Sequence, residues 1–306
     1  SLYGDESPQP DPPLWKGEPD LFCLECEDDE PVQPVLTRSN ETLRGIYASP
    51  GRSPGLSPVL QKMVSTVRGY PTRIFWELFC GCAILSQCFS EAGWDVGPPV
   101  DVEISDEYNL LCPLFLSVVI GLILEGRVAL LHVGPPCSSF SWAVNRWKRS
   151  LQQPEGFWNL PYHRAEKVRL GNDLALAAVQ LCKAQEKTGG AWQWEQPWGS
   201  LMFMMKSVQA FVGRSTVFMI EVWVCAFGAP WAKPTAIATN RKCLTSLYRK
   251  CPSYPHRHIP LVGGCPDGRR WTKVASPYWP AFARAWALAA DDIRSETLDV
   301  PKTVHL

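Results

Sequence analysis

Leu-Leu-His-Val-Gly-Pro-Pro-Cys-Ser-Ser-Phe-Ser-Trp, residues 130–142, sets an apolar run, two prolines and one cysteine in immediate succession. Val128 to Val133 reads as one apolar run of strand length, which suits a strand buried on both faces. Gly134, Pro135 and Pro136 cannot extend a central strand, because proline has no ladder donor and restricts the residue before it. Cys137 therefore stands just beyond a strand end, and in open α/β sheets ligands bind at the carboxyl ends of strands. A thiolate is a far better nucleophile than a thiol, and Ser138, Ser139 and Ser141 offer a helix start just after the cysteine. The plainer reading is that Cys137 is a small buried hydrophobe, one of twelve cysteines.

Working outward, the 306 residues allow one large domain or two ordinary ones. Lys plus Arg and Asp plus Glu are each 30, so no global positive field advertises nucleic acid and any basic groove is local. A hydrophobic share of 46% is globular, and 14 tryptophans predict aromatic cores or stacking surfaces. There is no signal peptide and no secreted disulfide framework, which points to a reducing, intracellular setting. The chain opens at Ser1 rather than Met and is expected to be a piece of something longer. Ser1 to about Gln61 is rich in proline, serine and acids without sustained periodicity, so residues 1–69 read as a disordered acidic leader, with order beginning near Arg73. Cys23 and Cys26 form a Cys-x-x-Cys there, but no second pair lies nearby to complete a zinc site. Leu110 to Leu124 is too short for a membrane span and reads as a buried helix feeding the Val128 strand.

Ile74 to Phe79 is a strand, followed by a Cys-Gly-Cys-Ala turn and a helix over Ile84 to Ala92 that Gly93 ends. Val96 to Val102 reads as a second strand, with Asp101 at its end. Such a unit suits a nucleoside cofactor, since Gly81 permits close backbone approach and a carboxylate can accept ribose hydroxyls. Equally, Gly81 is a common turn glycine and Asp101 a surface acid. Between Ser141 and Arg169, Trp142, Arg146, Trp147, Lys148, Arg149, Trp158, Tyr162, His163, Arg164, Lys167 and Arg169 interleave cations and aromatics, as a nucleic-acid surface or as a solvated loop. Gly171 to Gly189 is a helix capped by Asn172 or Asp173. The strand Ala191 to Glu195 then ends in a polar group followed by proline, as the Cys137 strand does. Two reactive side chains at neighbouring strand ends can face one pocket.

A strand ending Phe-x-Gly, a Pro-Pro-Cys after a later strand and a Glu-Gln-Pro after another resemble the ordered motifs of the DNA cytosine-5 methyltransferases, across Phe75 to about Asn240. In particular it resembles the short, divergent members found in mobile-element polyproteins of some protists. The resemblance implies a doubly wound, mostly parallel α/β sheet of the S-adenosylmethionine-dependent, Rossmann-like class. It also implies methyl transfer to carbon 5 of cytosine in DNA. In it, Phe79 and Gly81 flank S-adenosylmethionine, Asp101 holds its ribose, and Val102 packs on adenine. Asn109 and Pro135 complete the cofactor side. Cys137 attacks carbon 6, Glu195 binds ring nitrogen 3, and Lys233 supplies positive charge. The partner is nucleic acid, DNA before RNA, with other polyprotein domains and a nuclear location expected.

The sequence also departs from those motifs. Ala83 stands where the family has a second turn glycine, Gln196 replaces asparagine, and Ser138 replaces glutamine. No Gln-x-Arg-x-Arg follows the Val217 to Cys225 strand, where Ala-Phe-Gly-Ala-Pro-Trp-Ala-Lys-Pro-Thr stands instead. Ala83 and the missing arginine motif favour a competing reading, a non-catalytic module that keeps the fold and binds nucleic acid or a partner, which the intact Cys137 and Glu195 oppose. A third is an unrelated α/β enzyme with another cofactor. The methyltransferase-like domain is expected over 70–292. A short insert at 240–276 stands in place of a large target-recognition region, and a frayed tail follows at 293–306. The insert holds Cys251, His256, His258 and Cys265, weak zinc candidates that read more plainly as a polar loop. Pro277 to Ala290 is the closing helix.

Overall fold

The computed structural model describes residues 55–141, 147–252 and 257–296. Cys23, Cys26, Trp142, Arg146 and His256 lie outside them. Order begins earlier than Arg73. Helix α1 (Pro58–Gly69) is capped by the Ser57 hydroxyl, which accepts from the Leu60 amide, and has proline in its first turn. Its residues Leu60, Met63 and Val67 are buried at helical spacing, so this part of the expected leader belongs to the core.

Five strands form one sheet: β1 (Ile74–Leu78), β2 (Val128–Val133), β3 (Ala191–Pro197), β4 (Phe218–Trp223) and β5 (Pro234–Thr239), in the order β1-β2-β3-β5-β4. The β1, β2 and β3 strands are parallel neighbours, while β5 runs antiparallel to both β3 and β4. The sheet is thus mixed: β1, β2, β3 and β4 share one direction, as a mostly parallel sheet requires, and β5 opposes them. The cause of that reversal is the short 224–233 connection between β4 and β5, which cannot hold a parallel crossover of a dozen or more residues.

Side chains alternate along β1. Ile74, Trp76 and Leu78 join one core with α1, α3 (Pro113–Leu124), α4 (Tyr162–Lys187) and α5 (Lys206–Val212). Phe75 points the other way, into a core with α2 (Ile84–Glu91), α7 (Pro280–Ala289) and Ile293 of α8 (Asp291–Glu296). Helices therefore cover both faces, and a short α6 (Trp271–Val274) precedes α7. Burial of Ile293 extends the packed chain into the expected tail.

Two other boundaries differ from expectation. Val96 to Val102 is not a continuous strand: Val96 and Val100 make isolated parallel bridges to Phe75 and Leu78, and Gly97, Pro98 and Pro99 between them cannot sustain a ladder. Helix α4 starts at Tyr162 rather than Gly171, so Asn172 lies inside it and caps nothing; its side chain instead accepts from Arg149 at 2.7 Å. The chain leaves β1 for the Val96–Val100 segment on one side and returns to β2 on the other. The crevice beyond the β1 and β2 ends is thus a topological switch point, the place where open α/β sheets bind ligands.

Candidate active site

Loops following β1, β2 and β3 meet at that crevice. After β1 the backbone alternates in and out of the left-handed region, with φ of 60° at Phe79, 50° at Gly81 and 55° at Ala83. Each non-glycine residue there costs about 1–2 kcal/mol, so the surroundings hold the turn against its own preference. One restraint is Asp101. Its Oδ2 accepts from the Gly81 amide at 2.9 Å and its Oδ1 from Glu103 at 2.9 Å. A Cβ on Gly81 would meet nothing within 4 Å, so the turn borders open space. Val102 beside it is exposed. Asn109 stands at the entry to α3, where its Oδ1 accepts from the Leu111 amide at 2.9 Å.

After β2, the Pro-Pro-Cys segment is fastened to β3. Gln196 donates from Nε2 to the Pro135 carbonyl at 2.6 Å, and Ser200 donates to Gln196 Oε1 at 3.0 Å. Gln196 thus ties the two strand ends together. Ser138 to Phe140 form a turn rather than the start of a regular helix, with the Phe140 and Ser141 amides donating to the Cys137 carbonyl. Gly134 leaves little room for a side chain: a Cβ there would sit 3.2 Å from Tyr278 Oη and 3.3 Å from His132 Nε2.

Cys137 is half-buried. Burial, together with the Glu195 carboxylate, pushes its thiol up to about 11, against the opposing pull of Lys233. Burial likewise raises Glu195, with Lys233 and a hydrogen bond from Tyr278 acting the other way. Lys233 therefore feels both groups. Its backbone is left-handed, φ 32°, and its Nζ donates to the Ala275 and Ser276 carbonyls at 2.7 and 3.1 Å. Among the described residues, the non-glycine positions with positive φ are Phe79, Ala83 and Lys233, all in this crevice.

Behind Glu195 runs a buried polar chain. Trp286 donates to Gln193 Oε1 at 2.7 Å, which turns the Gln193 amide nitrogen toward His132 Nδ1, 3.3 Å away. That nitrogen can only donate, so His132 Nδ1 accepts and its proton sits on Nε2, 3.0 Å from Tyr278 Oη. Tyr278 passes its own proton toward Glu195 Oε2 at 3.4 Å. Every bond points the same way, and burial holds His132 neutral by lowering it to about 3. On the same sheet face, Glu77 is buried and pushed up to about 7, chiefly by burial. Ser86 donates to its Oε2 from both the amide and the hydroxyl, while Oε1 has no partner.

Glu77, His132, Gln193 and Tyr278 were not singled out from the sequence. The signal for the first three was a polar residue inside a strand buried on both faces. The basic, aromatic loop divides. Arg149 is buried and spent on Ser139, Pro154, Val168 and Asn172, and Lys148 is buried too, so neither is a phosphate ligand on the surface. Trp147, Trp158 and Tyr162 are exposed large aromatics. Of the weak metal candidates, Cys251 and His258 come together, whereas Cys265 donates to Asp267. No described helix is long and apolar enough to cross a membrane. No protein-family model matches the chain, and no curated protein does either.

Proposed function

We propose that the chain is an S-adenosylmethionine-dependent methyltransferase of the Rossmann-like class, acting on carbon 5 of cytosine in DNA through a covalent adduct with Cys137. The observation that carries this reading is the pairing of Cys137 and Glu195 at adjacent parallel strand ends, beside the left-handed Gly81 turn. Ala83 adds support, since it adopts the backbone of the glycine whose place it takes.

The residues present fit the cofactor. Open space over Gly81, with the Asp101 carboxylate and exposed Val102 next to it, suits a nucleoside. Phe79, Gly81, Asp101, Val102, Asn109 and Pro135 would hold S-adenosylmethionine, which supplies an electrophilic methyl group. The chain's own work is on the base. Reaching a ring atom in a duplex requires flipping the cytosine out, and exposed Trp147, Trp158 and Tyr162 offer stacking surfaces for displaced bases. Cys137 Sγ, its proton released to solvent, adds to carbon 6 and activates carbon 5 as an enamine. Once carbon 5 carries the methyl group, loss of the carbon 5 proton to solvent and elimination of Cys137 from carbon 6 restore the ring and free the thiolate. Glu195, its pKa raised, donates a proton to ring nitrogen 3 and offsets the charge that develops on attack. Tyr278, backed by His132 and Gln193, fixes the orientation of that carboxyl, and Lys233 stabilises the thiolate as it forms. On this reading the protein works in the nucleus, alongside other domains of a longer polyprotein.

The test is transfer of labelled methyl from S-adenosylmethionine to DNA duplexes, single strands and RNA. The expected result is 5-methylcytosine in DNA, abolished in Cys137→Ala and reduced by roughly 100-fold or more in Glu195→Gln. Label in RNA alone reassigns the substrate. Cofactor binding without transfer to any of them overturns the reading in favour of a nucleic-acid-binding module.

A further inference from the structure

Away from the crevice, two thiols and an imidazole from two parts of the chain converge. Cys225 lies in the turn that follows β4, Cys251 in the loop after β5, and His258 beyond it. Their ligand atoms all lie within 4.8 Å of one another, and Cys251 Sγ is 3.6 Å from His258 Nε2. Neither cysteine is in a disulfide. Backbone hydrogen bonds hold each in place. Just before Cys251, the Arg249 carbonyl accepts from Trp223 at 2.8 Å and its amide donates to Glu221 at 3.3 Å, which draws this loop against the end of β4. Just after His258, the Ile259 amide donates to the Pro230 carbonyl at 2.8 Å. The cluster is therefore set by the fold and not by one flexible segment.

We propose that Cys225, Cys251 and His258 form a zinc site. Two thiolates and an imidazole are the ligand chemistry that zinc takes in preference to calcium, magnesium or manganese. The charges balance: Zn²⁺ displaces one proton from each thiol, and the two thiolates neutralise it, while His258 binds through a neutral nitrogen. A fourth ligand completes the tetrahedron. The site's role is structural. It pins the 240–276 insert to the end of β4 and, through Ile259 and Pro230, braces the Ala229 to Lys233 segment that carries Lys233 into the active crevice. Among the described residues from Tyr248 to Val274 none is fully buried, and small segments of that kind are commonly stapled by metal.

The test is a titration of the metal-free, reduced full chain with Co²⁺, followed by competition with Zn²⁺. The expected result is a thiolate-to-cobalt charge-transfer band with tetrahedral d–d bands, saturating at one equivalent and abolished by zinc. The band is lost in Cys225→Ser and in Cys251→Ser and is unchanged in the double variant Cys23→Ser/Cys26→Ser. Because a ligand variant can misfold, X-ray absorption on the zinc-loaded wild type gives an independent reading: two sulfurs at about 2.3 Å and nitrogen at about 2.0 Å. Coordination by oxygen alone, a band that survives in Cys225→Ser, a band lost with Cys23 and Cys26, or a Cys225–Cys251 disulfide under reducing conditions overturns the proposal.

Discussion

Cys137 rests as a thiol in the free protein, because burial and Glu195 together outweigh Lys233. At neutral pH only a small fraction of molecules carries the thiolate that attacks an electrophile. Alkylation at Cys137, followed by peptide mapping, is expected to rise about tenfold per pH unit from pH 7 toward 10, and to slow at any fixed pH in Lys233→Met. A plateau below pH 9 contradicts this account of the thiol. Ala83 makes a second point of the same kind. Its φ of 55° belongs to glycine, so Ala83→Gly is expected to raise stability to denaturant by about 0.5–1 kcal/mol, after the entropy cost of the added freedom. Loss of stability in that variant shows that the turn is not strained. Cys137 and Glu195 were legible in the sequence because each follows an apolar strand and sits beside proline. Tyr278 was not, since nothing in its own neighbourhood announces that it reaches back to a strand far earlier in the chain.

Along β1, β2 and β3, one sheet face carries Glu77, His132, Gln193 and Glu195, where ordinary packing would place apolar side chains. The Glu77 and His132 shifts act on stability in opposite directions. Glu77 moves from 4.5 to about 7, so between those values the folded state binds more protons than the unfolded, and stability falls as pH rises. His132 moves from 6.5 to about 3, so between those values the unfolded state binds more, and stability rises with pH. The two offset one another where the windows overlap. Comparison of Glu77→Gln with wild type removes the His132 contribution. The difference in unfolding free energy is expected to shift in the variant's favour by up to about 3 kcal/mol from pH 4.5 to 7, as measured by denaturant melts. A difference that stays flat across that range contradicts a protonated Glu77. Strand existence was readable throughout, because buried apolar runs bounded by glycine and proline are local signals. The antiparallel β5, the early start of α4 and the docking of α1 were not. Each depends on what the segment packs against rather than on its own composition.

Two cores lie on either side of one sheet, and the crevice beyond β1, β2 and β3 lies at the ends of its parallel strands. The mixed open α/β sheet follows from the order of apolar runs and turns. The assembly of the crevice follows from the chain reversing direction at β1. The proposed chemistry requires every part at once: a cofactor on the Gly81 turn, a flipped base, a nucleophile and an acid. The most direct measurement uses an oligonucleotide carrying 5-fluorocytosine, because fluorine at carbon 5 blocks release after methyl transfer. The account predicts a covalent protein–DNA adduct that survives denaturation, forms only with S-adenosylmethionine and is absent in Cys137→Ala. Cofactor binding with no adduct on DNA or RNA, or an adduct that persists in Cys137→Ala, contradicts it.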